Sequence, residues 1–181
     1  TDTDENALTL TVTGDALASE LNTLDGKTSV DVKVDATEVT GNFTDLYKVY
    51  ETNKANFANL GNETVKITDT VSAAQANTIA KATSGNVTAA TVTAATAATL
   101  KAALADAIDD TDALTLTVNG ATATAADLIA LDGKTSEDIT VDAKAVTGTL
   151  ADLNKVYVDL ATKDNFTTAD ENVTITDKTV T

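Results

Sequence analysis

The sequence predicts a mixed α/β protein built as a parallel βα solenoid, with short strands on one side and helices on the other. Three observations predict it. Short segments with alternating apolar residues take turns with stretches of helical spacing. The strand segments carry polar residues at every second position, so one face of each meets solvent. A long internal repeat brings the same series of elements back about 107 residues later.

The expected strands are, in order, Leu8-Leu10-Val12, Val30-Val32-Val34, Val65-Ile67, Val87 to Val92, Leu114-Leu116-Val118, Ile139-Val141 and Val173-Ile175. Thr9, Thr11, Asp31, Lys33, Lys66, Thr115, Thr117 and Thr140 occupy the second face. Six helical segments are expected between the strands. The second carries Leu46, Val49 and Tyr50, then Phe57 and Leu60. Its copy carries Leu150, Leu153, Val156, Tyr157 and Leu160, and the fourth carries Leu100, Leu104 and Ile108. Spacings of three and four put each set on one helix face. Tyr47, Tyr50 and Tyr157 are therefore expected in the core.

Helix starts are marked by side chains that accept from free backbone amides. Ser72 and Gln75 have the spacing of a capping box. Asn42 with Asp45, and Thr149 with Asp152, place a cap acceptor before an acid in the positive first turn. Strict alternation of strand and helix calls for parallel strands joined by helical crossovers. A doubly wound α/β sheet would satisfy the same alternation. Its strands, covered on both faces, read as continuous apolar runs, and these strands do not.

The repeat divides the chain into a long unit over residues 1–112, expected to hold four βα turns, and a partial second unit over 113–181, continuous with the first. Ala7–Val12 returns at Ala113–Val118, Val39-Thr40-Gly41 at Val146-Thr147-Gly148, and Lys48-Val49-Tyr50 at Lys155-Val156-Tyr157. Val65–Asp69 returns at Val173–Asp177. No second copy of residues 72–110 follows, so the chain stops inside a repeat. Its closing strand looks like an internal one. This predicts stacking on itself or on further repeats, end to end.

The hexapeptide Leu-Asp-Gly-Lys-Thr-Ser occurs at Leu24–Ser29 and again at Leu131–Ser136. Gly-Lys-Thr ends a phosphate-binding P-loop, but that motif needs another glycine five residues earlier, where Leu21 and Leu128 stand. The order is also reversed, with the helix before the motif and the strand after it. The hexapeptide is read as a helix stop, with Gly26 and Gly133 in the left-handed conformation and the lysine near the negative helix end.

The 181 residues include 37 Thr, and Lys is the only cationic side chain; Cys, His, Met, Trp and Pro are missing. The net charge of -16 argues against nucleic acid and anionic membranes as partners. No apolar stretch is long enough to insert in a membrane. With no His base, Cys nucleophile or Arg clamp, and few aromatics to stack on a sugar, no enzymatic activity is expected. The acids collect near strand ends. Asp35, Asp69, Asp142 and Asp177 are expected at one end, and Asp109, Asp110 and Asp112 at the other, with Asp2, Asp4, Glu5, Asp170 and Glu171 in matching loops. Stacked loops would bring these like charges within about 4.8 Å, and calcium, a hard cation with oxygen ligands, would relieve the repulsion. These acids are the candidate metal ligands; no residue is a candidate for catalysis or for an organic cofactor. Thr-x-Thr on stacked strands can form an ice-binding face, but Asp31, Lys33, Lys66 and Asp142 interrupt it.

The stretch LNTLDGKTS-VDV-VDATEVTG-N-TDLYKVY, its copy, and the VTITD that follows resemble repeats of very large secreted proteins of bacteria, notably marine cyanobacteria. The resemblance spans most of both units and rests on structural residues. It implies an extracellular or cell-surface structural role, often with calcium. The Gly-Gly-x-Gly-x-Asp calcium nonapeptide of many such proteins is absent here. The expected function is a non-enzymatic structural repeat of a surface protein, fibre or filament. The alternative is an adhesin-type module that holds glycan or a divalent cation.

Overall fold

The structure, a computed structural model, describes residues 6–88, 90–105, 108–161, 166–168 and 170–178. It is mixed α/β, with strands and helices in alternation and, among the described residues, every strand pairing parallel. The first half runs β1 (Thr11–Leu17), α1 (Ala18–Asp25), β2 (Val32–Gly41), α2 (Phe43–Tyr47), β3 (Phe57–Ala58), β4 (Thr64–Ile67), β5 (Thr70–Val71) and α3 (Ala73–Ala80). Next come β6 (Val87–Thr88), β7 (Ala90–Val92) and α4 (Ala97–Ala103). The second half runs β8 (Leu114–Val118), β9 (Ala123–Thr124), α5 (Ala125–Asp132), β10 (Ile139–Val141), β11 (Ala145–Gly148), α6 (Leu150–Asn154), β12 (Phe166–Thr168) and β13 (Asn172–Ile175).

Strands pair with those of the next strand–helix unit. One sheet has the order β1-β2-β4-β6, with β3 also on β2; a second is β12-β10-β8-β7-β5; a third is β13-β11-β9. The registers match like with like: Val39 pairs with Val65 and Val65 with Val87, while Leu116 pairs with Ile139 and Ile139 with Phe166. Valine beside valine buries the same face at each step. A slip of one residue would turn every apolar side chain outward.

In β2, β8 and β10 burial alternates as the sequence predicts for one-faced strands, whereas all four residues of β13 are exposed. In β2, Val32, Val34 and Ala36 are buried, while Lys33, Asp35 and Thr37 are exposed. In β8, Leu114, Leu116 and Val118 are fully buried, with Thr115 and Thr117 between them. Helices pack over the apolar face, each also touching the helix of the next unit from α1 to α6. At the end of β2, Gly41 lies so close to α1 that a Cβ there would stand 2.8 Å from the Ala18 Cβ. Gly148 meets Ala125 at the same 2.8 Å. This glycine–alanine contact brings strand against helix in both repeats.

The expected caps form. Ser72 and Gln75 make a reciprocal capping box, Asn42 accepts from the Asp45 amide, and Thr149 accepts from the Asp152 amide. Thr96 and Thr124 cap α4 and α5 in the same way. Both Lys-Val-Tyr copies leave the α-helix for a π turn, over Lys48–Thr52 and Lys155–Leu160.

Several expectations are corrected. Gly26 and Gly133 are not left-handed; their φ values are -73° and -74°, ordinary for any residue. These helices end instead in a tight turn, with the Lys27 and Lys134 amides donating to the carbonyls of Leu24 and Leu131. Tyr47 is exposed, because the stripe that starts at Leu46 passes on to Val49 and Tyr50. Leu150 is exposed as well, and Phe57 belongs to a strand. The strands are also more numerous, because a bend separates pairs such as β10 and β11, while β1 and β2 start later and run longer than expected, over 7 and 10 residues, leaving Leu8, Leu10 and Val30 outside them.

At Gly26 an added Cβ would meet only backbone oxygens, the nearer at 3.6 Å, which is ordinary contact. Gly26→Ala should therefore raise stability by about 0.4–1 kcal/mol, by restricting the unfolded chain. Urea unfolding checks this. A clear loss of stability would show that the turn needs glycine after all.

Candidate functional site

The conspicuous threonine of the hexapeptide is turned inward. Thr28 and Thr135 are buried, and each Oγ1 contacts the backbone of the preceding unit. Thr28 Oγ1 donates to the Leu8 carbonyl at 2.8 Å and accepts from the Leu8 amide at 3.1 Å. Thr135 Oγ1 does the same with Leu114, at 2.8 and 2.9 Å. Each also accepts from an amide two residues ahead, Val30 or Glu137. The next residue extends the seam: the Ser29 amide donates to the Asn6 carbonyl and the Ser136 amide to the Asp112 carbonyl.

A third copy of this seam occurs without the hexapeptide. Thr83 Oγ1 donates to the Glu63 carbonyl at 2.7 Å and accepts from the Gly85 amide at 3.0 Å. The Ser84 amide donates to the Gly61 carbonyl at 2.8 Å. A carboxylate replaces the hydroxyl at a fourth seam, where buried Asp112 accepts from the Val87 amide at 2.6 Å. Thr-Ser pairs were visible in the sequence, but only their shared contact with the preceding unit gives them one role.

The same bonds answer whether the hexapeptide can cradle a phosphate. The amides of Lys27, Ser29, Val30, Lys134, Ser136 and Glu137 are all engaged within the protein. A recess of about 340 Å³ beside the first copy includes Asp25 and Asp31 in its lining, which would repel an anion.

The candidate metal ligands are distributed among structural tasks. Asp69 accepts from the Phe43 amide at 2.8 Å and Asp177 from the Leu150 amide at 2.7 Å. Each thus completes the N-terminus of a helix in the preceding unit, where the helix dipole favours an anion. Asp35 pairs with Lys33 at 2.7 Å and accepts from Asn59; the Lys33 hydrogen bond, then that of Asn59, holds its carboxyl below the usual range. Asp109 accepts from the Thr111 hydroxyl and amide, which lower its pKa. Asp110 and Asp142 are exposed, as is Asp170. Asp2, Asp4 and Glu5 lie outside the described residues. Among the described residues, no three acids gather in a group that could hold a metal ion.

Asp112 differs from the others. Burial pushes its carboxyl above the usual range, against the lowering effect of the Val87 and Asp109 amides. Asp109 adds a further upward push and Lys134 a downward one. A group whose folded pKa is raised favours the folded state at low pH. That contribution fades as pH rises from the ordinary Asp value of about 3.9 through the folded value. Asp35, Asp109 and Asp127, whose pKa values are lowered, act in the opposite sense and lose their contribution below that range. Melting temperature should therefore rise as the protein is brought from neutral pH down through the raised Asp112 value, then fall once the lowered carboxylates are protonated. Thermal melts across pH check this, and Asp112→Asn should flatten the rising limb. A melting temperature that only falls from neutrality would contradict the Asp112 contribution.

One polar pair recurs in both repeats. Tyr50 Oη donates to Glu63 Oε2 at 3.1 Å, and Tyr157 Oη donates to Glu171 Oε1 at 2.7 Å. Each pair ties a π turn to the loop before the next strand. Tyr50 and Glu63 are buried, at 0% and 1% exposure. Glu63 Oε2 also accepts from the Gly61 and Asn62 amides, while its Oε1 has no hydrogen-bond partner. Burial, with the neighbouring glutamate, raises the pKa of both tyrosines, so the phenols stay protonated as donors.

No described helix is long and apolar enough to cross a membrane. No family model, curated protein or solved structure matches the chain.

Proposed function

We propose that the chain is a non-enzymatic structural repeat module of an extracellular or cell-surface protein, fibre or filament, with its units wound as one parallel βα solenoid. One observation carries this reading: side chains that suggest ligand chemistry in the sequence bind neighbouring units of the chain itself. Thr28, Thr135, Asp69, Asp112 and Asp177 all do so. Sequential parallel pairing supports the solenoid, since each unit meets its neighbours in chain order. The acidic composition and the resemblance to giant secreted repeats support the surface location. Immunogold electron microscopy of the producing cells tests it. Label over an external layer or fibre is the expected result, and label confined to the cytoplasm would refute it.

A second reading, a glycan-binding adhesin module, draws on the less buried face of the strands. Thr117, Thr140 and Thr167 lie side by side in register, as do Thr124, Thr147 and Thr174. Saturable binding on a glycan array, lost on replacing Thr140 and Thr147 by lysine, would favour it.

A further inference from the structure

Among the described residues, the internal repeat presents one surface twice, once covered and once open. In the first repeat, Val65 and Ile67 of β4 are fully buried, while their counterparts Val173 and Ile175 of β13 are 51% and 44% exposed. The surroundings are otherwise alike. β4 pairs with β2 from Glu38↔Thr64 to Gly41↔Ile67, and β13 pairs with β11 from Ala145↔Asn172 to Gly148↔Ile175. The Tyr–Glu pair is formed behind both strands. What covers β4 is the loop and strand of residues 82–88. Thr83 Oγ1 bonds the Glu63 carbonyl, and the Val65 amide donates to the Asn86 carbonyl at 2.9 Å. Gly85 lies flat on the Glu63 backbone, where a Cβ would stand 2.3 Å from the Glu63 oxygen.

We propose that the outer edge of β13, with Tyr157 and Glu171 behind it, is a preformed docking surface. Its occupant is a βα unit whose leading loop reads Thr-Ser-Gly-Asn-Val-Thr. That loop lies parallel to β13, with its glycine over the Glu171 carbonyl and its valine beside Val173. This continues an interface already present between β4 and β6. A second copy of the chain fits less well through its opposite edge. That edge is led by Ala7, Leu8 and Thr9, which lack the glycine, and the two molecules would each carry a net charge of -16. The proposal rests on the structural reading above, but its test is independent of where the protein resides.

The test extends the full chain after Thr181 with a second copy of residues 73–112. Backbone amide exchange is then followed at Val173 and Ile175, with Leu116 and Val141 reporting the folded state of the parent. Exchange at Val173 and Ile175 should slow to the rates of Val65 and Ile67. The same extension with valine at the position copied from Gly85 should leave both amides fast while Leu116 and Val141 stay protected. Fast exchange in the first extended chain, or equal protection in both, overturns the proposal. Concentration-dependent protection of the unextended chain, with sedimentation showing dimers or larger species, overturns it in favour of a second copy.

Discussion

Gly85→Ala should destabilise the protein by about 3 kcal/mol, among the largest effects of any single methyl in the chain. The added Cβ would stand 2.3 Å from the Glu63 oxygen, 2.5 Å from its carbonyl carbon and 2.8 Å from the Thr64 nitrogen. All three are backbone atoms, so no side chain can swing aside. Relief requires the loop at 83–85 to lift from the preceding unit, which breaks the hydrogen bonds of Thr83 and Ser84 to Glu63 and Gly61. Lifting also uncovers Glu63, whose carboxylate holds Tyr50, Gly61 and Asn62 together. Urea unfolding measures the loss. Ser84→Ala is the control, since this exposed hydroxyl makes one long bond, and it should change stability by about 0.5 kcal/mol or less. Equal effects of the two substitutions would mean that the loop is not held against Glu63.

Thr135→Val should cost about 2–3 kcal/mol, and Thr28→Val about 1 kcal/mol, although the two threonines make matching bonds. Valine keeps the shape and removes the hydroxyl, so the amide and carbonyl of the residue opposite lose their partner. At Thr135 that residue is Leu114, which is fully buried, and the orphaned groups have no access to water. At Thr28 it is Leu8, which is 49% exposed, so water can replace the hydroxyl. Thr135→Ser should restore most of the loss, because the serine hydroxyl can make the same bonds. Thermal or urea melts of the three variants decide this. If Thr28→Val is as costly as Thr135→Val, burial of the opposite strand is not what sets the value of the seam.

Together these expectations place the integrity of the chain in its junctions. Each junction uses short-range polar groups, Thr hydroxyls or a carboxylate, on backbone that a parallel pairing would leave unsatisfied where strands end. That explains how a chain with 3% aromatic residues closes a core largely of Val, Leu, Ile and Ala.

The sequence by itself determined the local features. Alternation of apolar and polar residues predicted one-faced strands at Val32–Val34, Leu114–Val118 and Ile139–Val141, because side chains on a strand project with a period of two. Cap residues located the starts of α2, α3 and α6, because the acceptor and the amide it satisfies lie within three residues. Equivalence of the repeats was legible in the same way, as letters returning at fixed distance. What only the tertiary structure decided involves partners 20 or more residues apart. Thr28 and Thr135 read only as the tail of a helix stop until Leu8 and Leu114 came to lie opposite. Asp69 and Asp177, candidate calcium ligands in the sequence, accept from the free amides of Phe43 and Leu150 across a seam, a contact that no sequence spacing indicates. Gly85 gave no sign of its importance, since the need for a missing Cβ arises from the Glu63 backbone above it and not from its own backbone conformation. Gly26 invited the opposite error: glycine after a helix favours the left-handed state, but the turn into the Thr28 seam closes at negative φ. Local propensity is set by neighbours in sequence, whereas each seam is set by the unit stacked against it, and the latter has no fixed spacing for a sequence pattern to reveal.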